Sequence, residues 1–154
     1  MGGAGAVMNE SLDVVLRLVR AQAALVRRFD ARLGGLHGVS LSDFTLLLRL
    51  GQAPGGRMRR VDLAEVLGLT ASGVTRGLAP LERIGLVTRE PDARDARVAY
   101  ASLTGTGRRR LREMLATAEE TATDVLAVPA WGKEDVAVFS DLLSRLGGTG
   151  PSGR

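Results

Sequence analysis

Residues 61–85 place the strongest constraint on how this 154-residue chain can fold. Their pattern predicts a compact helix at about residues 61–67, which Gly68 ends, and a second helix from the N-cap residue Thr70 to Ile84. The turn between the helices is short and contains glycine. Two helices joined in this way are typical of a helix-turn-helix, so the segment is predicted to fold as one.

The second helix of this pair has one polar and one apolar face. The polar face carries short side chains and then an arginine: Ser72, Thr75 and Arg76. The apolar face is expected to pack on the core: Val74, Leu78 and Leu81. A helix that reads DNA needs small or polar residues in its first turn, so that its backbone can approach the groove, and a longer side chain to reach the bases. An ordinary capped amphipathic helix with a solvated polar face has the same pattern, so the helix alone does not separate the two interpretations.

A charged hairpin is predicted directly after this helix. Two segments with β character flank the polar residues 91–96, which form its tip. We expect Asp92 or Asp95 to pair with Arg97 and so hold the loop. Arg94 then points outwards, where an arginine on a narrow hairpin can enter the minor groove of DNA. The alternative is that these four charges pair locally on a solvated turn.

Amphipathic helices are predicted on both sides of this segment. A long first helix is expected to end at residues 34–35, which are both glycine, and Ser40 with Asp43 resembles a capping box that opens the next helix. After the hairpin, Thr104 caps a long helix that Pro129 breaks, and a last helix follows.

The predicted fold class is mainly α, an α+β winged helix in a single six-helix chain. Residues 57–103 form the winged helix-turn-helix lobe, residues 9–51 and 104–147 supply the helices of a dimerisation lobe, and residues 148–154 form a disordered tail. Aromatic residues make up only 3% of the chain, so the core must consist of Leu, Val and Ala, which suits helices better than a β-sandwich.

The charge of the chain permits a polyanionic partner without requiring one. The net charge is +4, and Lys133 is the single lysine among 21 basic residues. The planar guanidinium of arginine can form two parallel hydrogen bonds to a phosphate or a guanine edge, which the ammonium group of lysine cannot. A G+C-rich genome would, however, favour arginine codons in any case. The basic run at residues 108–110, together with Arg112, either adds phosphate contacts or forms a solvated helix face.

Several functional classes are excluded by the composition. The chain has no cysteine, so it has no disulfide and no thiolate site, and because it has one histidine we predict no metal site. Neither a nucleophile with a base nor a phosphate-binding glycine loop is present, so we predict no catalysis and no cofactor. No apolar run reaches the roughly 18 residues of a membrane span and no signal peptide begins the chain, so we expect a cytoplasmic protein without a membrane partner.

Three segments together resemble the MarR family of bacterial regulators. The wing signature of that family is similar to Asp92-x-Arg94-Asp95-x-Arg97 followed by Leu103-Thr104. Its first motif helix and turn resemble DLAEVLGLT at residues 62–70, and its recognition helix running into the wing resembles VTR at 74–76 with LERIGLV at 81–87. The strong motifs cover residues 61–104, whereas the flanking helices match in order and length.

This resemblance implies a homodimer on double-stranded DNA. The terminal helices would form the dimer, the recognition helices would enter successive major grooves of a pseudo-palindromic operator, and the wings would enter the adjacent minor grooves. Carried over by position, the DNA-binding residues are Thr70 at phosphate, Ser72, Thr75 and Arg76 at bases and phosphates, Arg94 in the minor groove, and Arg97 in the wing. Gly73 departs from the family, since many relatives have a hydroxyl or longer side chain there, so one base contact is either absent or replaced by close backbone approach.

The resemblance also implies a small-molecule effector, often a phenolic or aromatic carboxylate, but the sequence identifies no residues for it. His37 could bind such a ligand. We expect it instead to be a solvated residue in the loop between the first two helices.

The predicted function is that of a sequence-specific DNA-binding transcriptional regulator, a repressor, which is not an enzyme. The alternative is a winged helix that mediates protein association without specific DNA binding. A derivative of that kind would tend to replace the polar face of the second helix with apolar residues.

Overall fold

The computed structural model describes residues 9–95, 97–127 and 130–147, and the predicted tail 148–154 lies outside this part of the chain. The elements are α1 (Glu10–His37), α2 (Leu41–Gln52), β1 (Arg57–Arg59), α3 (Arg60–Leu67), α4 (Ala71–Arg83), β2 (Val87–Pro91), β3 (Ala99–Leu103), α5 (Gly105–Ala127) and α6 (Lys133–Leu146), with one turn of 3-10 helix at Pro54–Gly56. The predicted fold class, a mainly α chain with a winged helix, is confirmed. The chain divides into two compact units, Met1–Ala118 and Glu119–Arg154, with the boundary inside α5.

The three strands form one antiparallel sheet in the order β1-β3-β2. In this sheet β2 and β3 are the two arms of the predicted hairpin, and Val87 lies opposite Leu103. On the other side of β3, the short strand β1 places Arg59 opposite Tyr100. The sheet therefore joins the hairpin to the segment that precedes the helix-turn-helix.

The core of the first unit is built from leucine and other aliphatic side chains. Buried residues come from α1, α2, α3, α4, the sheet and α5, and the most enclosed of them are Leu33, Leu47, Leu50, Leu63, Val74, Leu78, Leu81 and Met114. The predicted capping box opens α2, because the Ser40 hydroxyl accepts the Asp43 N–H and the Asp43 carboxylate accepts the Ser40 N–H.

The predicted end of α1 at Gly34 and Gly35 is wrong. The helix continues to His37 and ends at Gly38, whose φ of 70° is the left-handed conformation that glycine adopts without strain. The Gly38 N–H donates to the Gly34 carbonyl at 3.0 Å, which closes the last turn. A glycine inside a helix costs only about 1 kcal/mol relative to alanine, which packing of the helix can offset.

The prediction for His37 is also wrong, because this residue is half-buried at the end of α1 rather than solvated in a loop. Its Nε2 atom lies 2.8 Å from the Thr117 Oγ1 atom, and the Arg110 Nη2 atom donates to its carbonyl at 3.2 Å. These partners belong to α5, which is far away in sequence, so the periodicity of α1 contains no signal for the contact.

The second unit contains α6 and a small aromatic contact. Trp131 precedes the helix and meets the Phe139 ring in an edge-to-face arrangement, with the ring centroids 4.9 Å apart. One side of α6 carries apolar side chains that remain largely exposed in the single chain: Val138, Phe139, Leu142, Leu143 and Leu146. None of the helices in the described ranges is long and apolar enough to cross a membrane.

Thr104 joins the hairpin to α5. Its hydroxyl donates to the Gly85 carbonyl at 2.6 Å and accepts the Gly107 N–H at 2.9 Å, and its N–H donates to the Leu86 carbonyl at 3.1 Å. The first turn of α5 therefore lies directly against the residue that precedes β2. Gly107 is buried at this contact, where a Cβ atom would overlap the Leu86 carbonyl oxygen.

We therefore expect Gly107→Ala to lower the free energy of unfolding by on the order of 1–3 kcal/mol, because the clash is with backbone and forces α5 away from the hairpin. Gly105→Ala is the matched control, since its Cβ would have only the Arg109 side chain nearby, at 3.9 Å. Urea denaturation of both variants measures the difference. Equal stability of the two variants would contradict the proposed tight approach.

Candidate nucleic-acid interface

The turn between α3 and α4 presents the N-terminus of α4 at the surface. Gly68 ends α3 in the left-handed conformation, with a φ of 62°. Thr70 caps α4, because its Oγ1 atom accepts the Gly73 N–H at 3.1 Å, and the same atom lies 3.1 Å from the Ser72 hydroxyl. Since the first amides of a helix have no partner within the helix, an exposed N-terminus of this kind can bind an anion such as phosphate.

The two faces of α4 separate as the sequence indicates. Val74 and Leu78 are completely buried and Leu81 is 2% exposed, whereas Ser72, Thr75 and Arg76 are exposed. The Thr75 hydroxyl donates to the Ala71 carbonyl, so it points back along the helix. The exposed face therefore offers hydroxyl groups and one guanidinium to an external partner.

An ion pair between α3 and α4 fixes the second helix near its C-terminal end. The Arg60 Nη2 atom lies 2.6 Å from the Glu82 Oε1 atom, and the two side chains are only 20% and 32% exposed. Breaking a partly buried pair of this kind costs more than breaking a surface pair, because removal of either side chain leaves the other charge without a partner. Sequence reasoning missed this pair, since no local pattern links an arginine in one helix to a glutamate 22 residues later.

Local hydrogen bonds order the tip of the hairpin. Asp92 Oδ1 accepts the N–H groups of Arg94 at 2.7 Å and Asp95 at 3.0 Å. The Asp95 carboxylate accepts both the N–H and the guanidinium of Arg97. The partner of Arg97 is therefore Asp95, and Asp92 instead holds the backbone of the loop. Ala96 lies outside the described residues.

These hydrogen bonds favour the ionised form of both carboxyl groups. The Arg94 N–H, followed by the Asp95 N–H, holds the pKa of Asp92 below its usual range. The Arg97 guanidinium, followed by the Arg97 N–H, lowers the pKa of Asp95 in the same way. Both carboxylates thus accept hydrogen bonds at neutral pH.

Arg94 itself remains available to a partner. Its side chain is exposed, and among the residues that the structure describes we find no hydrogen bond or ion pair of its guanidinium. Its backbone is fixed by Asp92 while its side chain extends freely. This arrangement presents one arginine at the end of an ordered hairpin.

The strand residues next to the hairpin tip carry a second contact that sequence reasoning missed. The Arg57 guanidinium lies over the Tyr100 ring at 4.1 Å from its centroid, and its Nη1 atom is 3.6 Å from the Glu90 carboxylate. Arg57 and Tyr100 lie on neighbouring strands and Glu90 stands opposite Tyr100 on the third, so one arginine spans all three strands. Such cation–π and ion-pair contacts are modest at an exposed site.

The basic run at residues 108–110 has contacts within the chain. The Arg108 Nη2 atom donates to the Gly55 carbonyl at 3.0 Å, and Arg109 donates to the Thr106 hydroxyl. Arg110 pairs with Glu113 and also donates to the His37 carbonyl. The run is thus neither a free set of phosphate contacts nor a plain solvated face.

No three His, Asp or Glu side chains come together to form a possible metal site in the described part of the chain.

Comparison with known proteins identifies the fold. The MarR family model matches residues 37–98, which include α2, the helix-turn-helix and most of the hairpin. The HTH-type transcriptional regulator YdgJ of Bacillus subtilis (strain 168) is 26% identical over 138 residues, which make up 90% of this chain and 79% of YdgJ.

Two solved structures are similar over nearly their whole length. Sco3205, a MarR family transcriptional regulator from Streptomyces coelicolor crystallised in complex with DNA, superposes with a TM-score of 0.83 at 24% identity, over 94% of this chain and 95% of Sco3205. BpsR of Bordetella bronchiseptica, whose DNA binding is regulated by 6-hydroxynicotinic acid, superposes with a TM-score of 0.80 at 21% identity, over 91% of this chain and 96% of BpsR.

The family model covers the helix-turn-helix, β2 and the hairpin loop up to residue 98, and the fold likeness extends over both flanking helical segments. Proteins of this family are transcriptional regulators rather than enzymes, in agreement with the prediction of no catalytic site. Residues 37–98 therefore match the MarR family, and the fold of the chain is that of MarR family transcriptional regulators of known structure.

Proposed function

We propose that this regulator binds a pseudo-palindromic operator in double-stranded DNA as a homodimer and acts as a repressor. The observation that carries the proposal is the exposed polar face of α4, which begins at an open helix N-terminus and stands in the same lobe as the arginine-tipped hairpin. A surface of this chemistry suits a polyanion better than a protein partner, whose contact surfaces are poor in charge at their centre.

In this proposal α4 is the recognition helix and the hairpin is the wing. Thr70 and the helix N-terminus bind a phosphate, while Ser72, Thr75 and Arg76 reach the major groove. Gly73 allows the helix backbone to approach the DNA closely. The structurally similar regulator Sco3205 was crystallised in complex with DNA, which supports this use of the fold.

The wing residues have different roles at the minor groove. Arg94 enters the groove, where the negative potential is concentrated, and the hydrogen bonds of Asp92 and Asp95 keep the loop in one conformation. Arg97 remains bonded to Asp95 and contributes positive charge beside the DNA backbone.

Two exposed apolar stripes support the proposed dimer. On α1 the side chains that repeat every three or four residues are between 38% and 54% exposed: Leu12, Val15, Leu16 and Val19. On α6 the corresponding values run from 37% to 66%, as for Phe139 and Leu146. Apolar stripes of this length on a lone chain usually mark association surfaces. A symmetric dimer would cover them and would supply two recognition helices.

The proposed regulation includes a small-molecule effector. The relative BpsR is regulated in its DNA binding by 6-hydroxynicotinic acid, which supports an effector for this chain without identifying it. An effector can act only through a difference in its affinity for the DNA-bound and free forms.

Selection of bound sequences from a random DNA pool at moderate salt tests the proposal as a whole. We expect a consensus of two inverted half-sites whose centres lie about 34–36 Å apart, one turn of the double helix, because the dimer presents two identical helices. Binding driven by charge alone gives no consensus. If no motif is enriched, the proposal is wrong and the protein-association alternative is preferred.

Arg76→Ala is expected to weaken binding to the selected operator by about 1–3 kcal/mol and to relax the preference at one base pair, because a base contact is lost. Fluorescence anisotropy with the operator and with single-base variants measures both effects. Arg83→Ala is the control, since it removes the same charge from the exposed C-terminal end of α4. Equal weakening on every sequence would make Arg76 a phosphate contact instead.

Arg94→Ala is expected to weaken binding by roughly tenfold, or about 1.4 kcal/mol, with the largest loss on operators whose flanks are rich in A·T pairs. The reason is that a narrow minor groove attracts an inserted arginine most strongly. Arg89→Ala removes a charge from the exposed part of β2, away from the tip, and serves as the control. An unchanged affinity for Arg94→Ala on A·T-rich flanks would remove the wing from the proposal.

A further inference from the structure

A cavity of about 260 Å³ lies beside α4, between that helix, α2 and the end of α3. We call it the α2–α4 cavity. It lies entirely within the first unit of the chain and on the side of α4 that is turned towards α2. Of the residues proposed to lie at the DNA, Gly73 lines the cavity, and it does so with its backbone.

Glycines form the α4 wall of this cavity. Gly73 and Gly77 stand one helical turn apart, so backbone rather than side chains faces the space. A Cβ atom on Gly77 would lie 3.2 Å from the Leu46 Cδ1 atom, and one on Gly73 would lie 3.2 Å from the Thr70 Oγ1 atom. Larger residues here would occupy the space or displace α4, so the two glycines keep the cavity open.

The remaining walls combine leucine side chains with a polar rim. Leu46 is 3% exposed at the inner side, and Leu67 and Leu69 line the cavity from the end of α3 and the turn after it. Ligand sites typically have this composition, a largely apolar lining with a few polar groups that orient the ligand. The volume is smaller than the roughly 300–1,000 Å³ of sites for drug-sized compounds, which points to a compound with a single ring.

The polar rim contains one charged group, the Asp43 carboxylate. Its Oδ2 atom accepts the Ser40 N–H at 2.9 Å, and among the described residues we find no donor to its Oδ1 atom. The neighbouring Thr45 hydroxyl already donates to the Leu41 carbonyl at 2.8 Å and so can only accept from a ligand. The rim therefore favours a ligand that donates hydrogen bonds and carries positive charge, and it repels an anion.

We propose that the α2–α4 cavity binds a small single-ring compound that carries an amine, with the ring against the leucines and the amine at Asp43. We further propose that occupancy weakens DNA binding, a coupling that rests on the function proposed above. Gly73 and Gly77 belong to the recognition helix, so a compound between α2 and α4 shifts that helix relative to the wing. The helix and the wing then no longer fit their two grooves together.

Binding to the free protein is tested first, with benzylamine as the probe and benzoate as its anionic counterpart. We expect a Kd on the order of 1 mM for benzylamine, because it has few atoms, and at least roughly tenfold weaker binding of benzoate. Amide NMR shifts of the full chain during titration measure both and should centre on Gly73 and Gly77. Equal affinity for the two compounds, or shifts elsewhere in the chain, would overturn the site.

Three variants distinguish the cavity from a nonspecific surface. Ser42→Phe places a ring in the cavity from the exposed side of α2 and should abolish the benzylamine shifts. Gln52→Phe adds the same ring at the exposed far end of α2 and should leave them unchanged. Asp43→Asn should bring the affinities for benzylamine and benzoate to within about twofold of each other, since the charge that separates them is gone. Retention of benzylamine binding by a folded Ser42→Phe variant would contradict the proposal.

The coupling is measured separately, by DNA titration at saturating benzylamine. We expect the Kd for the selected operator to rise by roughly fivefold or more, and the Gln52→Phe variant to respond equally. An unchanged operator affinity overturns the coupling but leaves the site in place. Failure of the free protein to bind any operator overturns the proposed function, while the benzylamine titration still decides the site.

Discussion

The rotation of α4 about its axis is set by three side chains, and the surface of the whole lobe depends on it. Val74, Leu78 and Leu81 are packed into the core at intervals of three and four residues, so the helix can present only one face to solvent. That face carries Ser72, Thr75 and Arg76. The enclosed pair of Arg60 with Glu82 holds the other end of the same helix. Because burial stabilises each apolar side chain by about 1.5–3 kcal/mol, a rotation that exposed the stripe would cost far more than any contact of the polar face.

The hairpin is ordered in a different way, by short-range hydrogen bonds at the surface. Asp92 and Asp95 accept N–H groups from residues two or three positions away, so the loop needs no core of its own. This leaves the Arg94 side chain free while its backbone is fixed. At the other end the hairpin is tied to α5 through Thr104, and the missing side chain of Gly107 makes that contact close. An ordered backbone with an unrestrained terminal side chain suits a group that must adapt to a groove.

Glycine has three distinct roles in this chain, and the sequence distinguishes them poorly. Gly38 ends α1 because its φ is positive, whereas Gly34 and Gly35 lie within the helix although they were predicted to end it. Gly107 permits a close approach between backbones, and Gly77 with Gly73 leaves a cavity beside α4. The same residue type serves each role, so only the position of neighbouring elements tells them apart.

The sequence by itself determined the features that depend on near neighbours. These are the helix-turn-helix, the polar and apolar faces of α4, the capping of Thr70 and the charged hairpin, all set by periodicity, by turn residues or by hydrogen bonds between residues a few positions apart. The tertiary structure alone decided what depends on distant residues. His37 meets Thr117 across 80 positions, and Arg108 reaches Gly55 across 53. No local pattern encodes such pairs, because they arise only when the packing of the apolar faces brings separate elements together.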